Sequence, residues 1–250
     1  MKSNKEDENE ECCFGVLLFR NSSVSSCVCD IGGPIAVGEW NTQYQAGLDY
    51  AKAHRTPIDF FSFHGYIRPE LVGPHTDYHR ALLAKAGYGD VELHLNEWLC
   101  GRRERFGYQH DAAFAAQLAA FLVEMQKNGI AVGNVYDGSV VLGRYSPLFD
   151  PIELKPGRTL GVFKFFDVLY RLGNEVPVET NGAVQALAAR NVDGAALYLV
   201  NATPAPRRLN LKLGPRRIVR CRLTDQTHDA EDVSFDGVMP ASSVMLIELK

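Results

Sequence analysis

From Ile31 to Gly173, short apolar and β-prone runs alternate with segments of helical periodicity, an order that few folds accept. Two strands of like direction need a crossover between them, so this alternation points to βα units around a parallel sheet. The strands read as a short one before the Gly32-Gly33-Pro34 turn, Ile58–Phe63 (IDFFSF), one beginning at Leu93 in VELHLNEWL, and Ile130–Tyr136. The helices read as Glu39 to His54, Thr76 to Ala86, Asp111 to Lys127 and Thr159 to Leu172. Asp111–Lys127 is the best defined: Asp111 caps it, Phe114, Leu118, Phe121, Leu122 and Met125 share one stripe, and Asn128-Gly129 ends it. Thr76 is a candidate cap for the helix before it. Four βα units are thus predicted.

After about Val176 the pattern changes to short strands and turns: Val184–Arg190, Ala195–Asn201, Arg208–Leu213, Ile218–Leu223 and Ser243–Leu249. These read as a small antiparallel β-domain. Residues 1–30 show no sustained periodicity and pass from acidic to Ser/Cys-rich, so they read as a leader, disordered by composition. The expected division is therefore 1–30, 31–178 and 179–250.

Charge limits the partners. The formal net charge is −4, of which −3 falls in Met1–Glu11, where Glu6, Asp7, Glu8, Glu10 and Glu11 face only Lys2 and Lys5. No excess of positive charge is left to neutralise phosphates, which argues against nucleic acid. The basic run Arg207, Arg208, Lys212, Arg216, Arg217, Arg220 and Arg222 has a simpler reading. Leu209, Leu211 and Leu213 alternate with Arg208, Asn210 and Lys212, so one face is core and the other a solvated strand face. No apolar stretch approaches membrane-spanning length, and Gly15–Phe19 is too short for a secretory signal, so the cytoplasm is the default compartment. Cys12, Cys13, Cys27 and Cys29 crowd into the leader while Cys100 and Cys221 stand alone, which is not a disulfide framework.

The residues with chemistry lie at strand ends. Asp59-Phe60-Phe61-Ser62-Phe63-His64-Gly65-Tyr66 ends a hydrophobic strand in a polar and aromatic cluster. Leu93-His94-Leu95-Asn96-Glu97-Trp98 places a carboxylate at the mouth of an otherwise buried strand, a costly position unless the group is solvated, paired or working. The C-terminal ends of parallel barrel strands are where such enzymes build their sites.

In this order the motifs resemble glycoside hydrolase family 39, the β-xylosidase and α-L-iduronidase family of retaining (β/α)8-barrel enzymes. Gly32–Pro34 is similar to that family's fifth-strand turn, Asp59–Tyr66 to its sixth-strand DFxSxHxY and Asn96-Glu97-Trp98 to its seventh-strand motif. Lys155-Pro156 to Gly173 resembles the family's following helix, with a departure at Gly157–Leu160. The resemblance implies an α/β fold: a partial TIM barrel of about strands five to eight, then a small antiparallel β-sandwich. It implies Glu97 as catalytic nucleophile, His64 and Tyr66 beside it, Trp98 as an apolar wall for a sugar face and Gly33 as a close backbone approach. The implied substrate is a xyloside or related glycoside, with an iduronide or arabinoside as alternatives, and neither metal nor organic cofactor.

Each residue also has a plainer reading. Glu97 fits a capping or salt-bridged surface carboxylate, and His64 with Tyr66 a hydrogen-bonded rim pair. Glu39-Trp40 repeats the Glu-Trp pair but opens a helix, where an acid favours the dipole. His75 and His79 have the spacing of a metal pair without an evident third ligand. Asp137 lines the mouth or caps a loop.

Retaining hydrolysis needs a second carboxyl group about 5 Å from the first. The family's Asn-Glu-Pro acid/base motif does not occur in the sequence. Residues 31–178 number 148, whereas a full barrel takes about 250. The expectation is therefore the nucleophile half of a glycosidase without its acid/base half, or else an inactive fragment or non-catalytic sugar-binding protein, in either case self-associating through open sheet edges.

Overall fold

The computed structural model describes residues 42–100, 111–136, 138, 148–150, 153–182 and 184–250. Helix α1 (Thr42–His54) leads into strand β1 (Phe60–Gly65), helix α2 (Val72–Ala86), strand β2 (Glu92–Trp98), helix α3 (Ala112–Lys127) and strand β3 (Ile130–Val135). The three strands pair in parallel in the order β1-β2-β3, which is the βα architecture expected from the alternation. The turn at Gly32–Pro34, Glu39 with Trp40, and Asp137 lie outside the described residues. Among the described residues, the outer edges of β1 and β3 pair with no strand. Open parallel edges invite further pairing, and we expect sedimentation velocity to show species larger than the monomer; a single monomeric boundary at all concentrations would contradict this.

Two expected boundaries move, for physical reasons. Strand β1 runs on through His64 and Gly65, because these residues extend the ladder opposite Glu97 and Trp98. Thr76 does not cap its helix. A 3₁₀ turn at Pro69–Leu71 passes directly into α2, and Thr76, one turn inside, donates its hydroxyl to the Val72 carbonyl at 2.9 Å. Pro74 sits in the first turn, where no intrahelical partner awaits its missing N–H, so it does not break the helix.

Helix α3 begins as expected: Asp111 accepts the backbone N–H of Phe114 at 2.7 Å. Replacing Asp111 with alanine should lower stability by about 1 kcal/mol, seen as a lower urea midpoint with an unchanged slope. The helix is apolar well beyond the single stripe that its periodicity suggests. Phe114, Leu118, Phe121, Leu122 and Met125 are buried, and so are Ala115, Ala116, Ala119 and Ala120. The reason is a second layer, since α3 packs on the parallel sheet on one side and on an antiparallel sheet on the other.

A short hairpin of β4 (Phe149–Asp150) and β5 (Lys155–Pro156) precedes α4 (Arg158–Leu172), which stops at Gly173 in a left-handed conformation. Eight strands follow: β6 (Asn174–Val176), β7 (Gln185–Arg190), β8 (Ala195–Asn201), β9 (Arg207–Arg208), β10 (Ile218–Thr224), β11 (Glu231–Asp232), β12 (Val238–Met239) and β13 (Ser243–Leu249). Six form an antiparallel sheet in the order β11-β10-β13-β8-β7-β6. This sheet takes in Asn174–Val176, ahead of the boundary at residue 178. One face, with Leu187, Ala189, Tyr198, Val200, Val244 and Leu246, joins the same core as α3 and α4. The other face packs under a thinner layer containing Leu209, Leu211, Leu213 and the β9–β12 pair. Of the strand expected at Arg208–Leu213, only Arg208 pairs, together with Arg207 before it; the alternation of half-buried leucines with exposed Arg208, Asn210 and Lys212 persists beyond it.

Candidate active site

The site is created by one irregularity in β2. Phe63 pairs with Leu95, and the next residue of β1, His64, pairs with Glu97, so Asn96 is an extra residue on its strand. The same extra residue appears against β3, where Leu95 lies opposite Gly133 and Trp98 opposite Val135. Side chains alternate across a strand, so strict alternation would put Glu97 on the helix-covered side with Leu93 and Leu95. The bulge at Asn96 reverses this. Glu97 moves to the inner face of the sheet with Ser62, His64, His94 and Asn134, while Trp98 moves to the helix side.

On the inner face, at the C-terminal end of β2, Glu97 accepts a hydrogen bond at Oε1 from the Tyr66 hydroxyl. His64 Nδ1 stands 3.5 Å from the same oxygen, an electrostatic contact without hydrogen-bond alignment. The Glu97 side chain is 26% exposed and that of His64 11%, so the carboxylate meets solvent while the imidazole is nearly enclosed. Oε2 of Glu97 has no partner among the described residues. Tyr66 is steadied by the ring of Tyr136, edge-on at 6.4 Å, and the Tyr136 N–H donates to the Trp98 carbonyl at 2.8 Å. Around the pair, buried Ser62 Oγ, Asn96 Oδ1 and Asn134 Oδ1 lack hydrogen-bond partners among the described residues. This face therefore has hydrogen-bonding capacity to spare.

Thus Glu97, His64 and Tyr66 come together. Trp98 does not: it is fully buried and stacked on Phe121 of α3, ring centroids 4.6 Å apart and 9° from parallel. The expectation of a sugar-facing wall is corrected here, because the bulge turns the indole into the core. Trp98→Phe should cost about 1–2 kcal/mol in a denaturant melt, the loss expected of a core residue; an unchanged midpoint would place the indole outside the core. Gly33 lies outside the described residues. Asn134, which sequence reasoning passed over, faces the site from β3; its only signal was a polar residue on an otherwise apolar strand.

His75 and His79 share a face of α2, as their spacing implies, but that face is packed. His79 is 2% exposed and lies against Phe61, Phe63, Tyr44 and Tyr78. Among the described residues no group of three His, Cys, Asp or Glu is placed to hold a metal ion, and no helix is long and apolar enough to cross a membrane. Cys100 and Cys221 are buried. Two large clefts, of about 810 and 1130 Å³, lie away from Glu97, the first beside the open edge of β3 and the second on the antiparallel sheet.

No family model and no curated protein matches the sequence. Solved structures share its fold. A glucosidase from Croceicoccus marinus superposes with a TM-score of 0.65 at 17% identity, over 88% of this chain and 59% of that one. A monomeric β-xylosidase from Caulobacter crescentus gives 0.63 at 17% identity, over 88% and 61%. The GH39 enzyme of Xanthomonas axonopodis pv. citri gives 0.64 at 17%, over 88% and 60%. The chain thus spans about three-fifths of the length of these structures. Its fold, parallel βα units followed by an antiparallel sheet, is that of the corresponding part of TIM-barrel-plus-β-sandwich glycoside hydrolases.

Proposed function

We propose that the chain carries the nucleophile part of a retaining glycoside hydrolase of β-xylosidase type, with Glu97 as the nucleophile. The observation that supports this most is the carboxylate at the C-terminal end of a parallel strand, oriented by the Tyr66 hydroxyl and flanked by His64 at 3.5 Å. Glu97 Oε2 would form a bond to the anomeric carbon as the glycosidic C–O bond breaks, giving a glycosyl ester. The leaving oxygen would take its proton from a carboxylic acid, and a water deprotonated by the same group would then cleave the ester. Among the described residues Glu97 is the only carboxylate at the C-terminal ends of β1 to β3, so the acid/base comes from elsewhere. Ser62, Asn96 and Asn134 would meet sugar hydroxyls.

The test uses a leaving group that needs no proton. A 2-fluoro-xyloside of dinitrophenol expels a stable phenolate, so glycosylation requires only the nucleophile, and the fluorine slows hydrolysis of the ester. We expect stoichiometric dinitrophenolate release and one added fluoroxylosyl mass on the peptide containing Glu97. No release and no adduct would instead identify a non-catalytic relative; adduct formation faster with the arabinoside or iduronide would reassign the sugar.

A further inference from the structure

The cleft of about 1130 Å³ on the antiparallel sheet is separate from Glu97, and its lining is chemically uneven. Its floor is aliphatic, built on Ala186, Ala188, Leu197 and Leu199 of β7 and β8. One wall is Val176–Asn181 and the other the stretch from Arg207 to Leu213. Its charges are almost all of one sign: Arg190, Arg207, Arg208, Lys212 and Arg216, against Glu179 alone. Elsewhere on this sheet arginines are neutralised, Arg220 by Asp232 at 2.7 Å and Arg222 by Glu248 at 2.9 Å. The five cations of the cleft make no ion pair among the described residues, and Arg207 Nε is buried without a hydrogen-bond partner.

The alternation of Leu209 and Leu211 with Arg208 and Lys212 explains why the wall is basic on its exposed side. It does not explain why Arg190, from the end of β7, and Arg216, from a turn, converge on the same groove. Such convergence without counter-charge selects an anionic occupant. Among the described residues the lining contains no aromatic side chain, so neither a base nor a sugar ring has a surface to stack on there. A narrow aliphatic floor between charged walls suits a strand, whose side chains point alternately down and up.

We propose that this groove docks an extended peptide segment in which acidic residues alternate with aliphatic ones, the aliphatic side chains resting on Ala186, Ala188 and Leu197 and the carboxylates meeting Arg207, Arg208, Lys212 and Arg216. The test is fluorescence anisotropy on the full chain with a short dye-labelled peptide alternating Glu and Val. Its Lys/Val counterpart and heparin serve as competitors. We expect saturable binding that weakens several-fold at high salt and roughly tenfold in the Arg208→Glu/Lys212→Glu double variant, whose substituted side chains are exposed. Arg216→Glu, in an exposed turn, should repeat the loss if melting shows the double variant to be misfolded. Absence of binding, equal binding of the Lys/Val peptide, or displacement by heparin from wild type and variant alike would overturn the proposal.

Discussion

Glu97→Gln is expected to lower kcat/KM on aryl β-xylosides by about 10³–10⁴-fold, a loss of about 4–5 kcal/mol of transition-state stabilisation. The substitution keeps the shape of the side chain. The amide oxygen still accepts from the Tyr66 hydroxyl, so the contact that orients the group survives. What disappears is the negative oxygen able to bond to an anomeric carbon. The melting temperature should therefore hold, because a 26% exposed side chain on the inner face contributes little to the core. Rate and stability separate the readings of this residue. A salt-bridged structural carboxylate would give a lower melting temperature with turnover intact, and the nucleophile reading would then fail. Dependence on the leaving group adds a further check: the loss in the variant should persist on substrates whose aglycone departs without a proton, because forming the glycosyl ester still requires the nucleophile.

Much of this site was legible in the sequence because the types and order of its residues follow from chemistry. A carboxylate closing an apolar strand and a His-x-Tyr closing the one before it are rare in a plain core, and both proved to be neighbours. The faces of the sheet were less legible. Alternation along Leu93, Leu95 and Trp98 sends the indole inward, and no local signal in His94-Leu95-Asn96-Glu97-Trp98 announces the extra residue that sends it outward. The bulge has glycines on both neighbouring strands: Gly65 pairs with Trp98 in β1, and Gly133 of β3 lies beside its ring. A Cβ on Gly133 would come within 3.2 Å of Trp98 Nε1 and 3.0 Å of the Met125 sulfur. Such pairings are tertiary facts that a period of two does not encode.

The same holds for the relation between the two sheets. Periodicity assigns α3 a single buried stripe, whereas the helix is buried beyond that stripe and also packs on the antiparallel sheet. The polar residues left on α3 also serve that neighbour: Gln117 donates to the Ala202 carbonyl at 3.3 Å, and Glu124 accepts from Gln185 at 2.7 Å. Arg158, at the start of α4, donates to the carbonyls of Asp225 and Gln226 at 2.9 and 3.0 Å. The antiparallel sheet is thus fastened to the barrel helices by both apolar contact and hydrogen bonds. The groove on its far face stands on a framework continuous with the face that carries Glu97.

Acid should weaken this framework at one identifiable place. His79 lies between α2 and β1, with Tyr44, Phe61, Phe63 and Tyr78 around it and no partner at Nδ1. Burial, reinforced by the nearby His75, lowers its pKa from 6.5 to about 4. The folded protein therefore holds His79 neutral at pH values where the unfolded chain binds a proton there. Stability from this group is complete above about pH 6.5 and is lost as pH falls toward 4, by about 3 kcal/mol in all. Carboxylates titrate in the lower part of the same window, so the contribution must be read as a difference. His79→Leu keeps an apolar side chain of similar size among the same rings and has no proton to bind. Urea unfolding at pH 7 and pH 4 should show the variant losing about 3 kcal/mol less than wild type over that interval, even if it starts out less stable at pH 7. Equal losses in the two proteins would mean that His79 stays accessible to protons in the folded state and that the contact of α2 with β1 opens more readily than its packing implies.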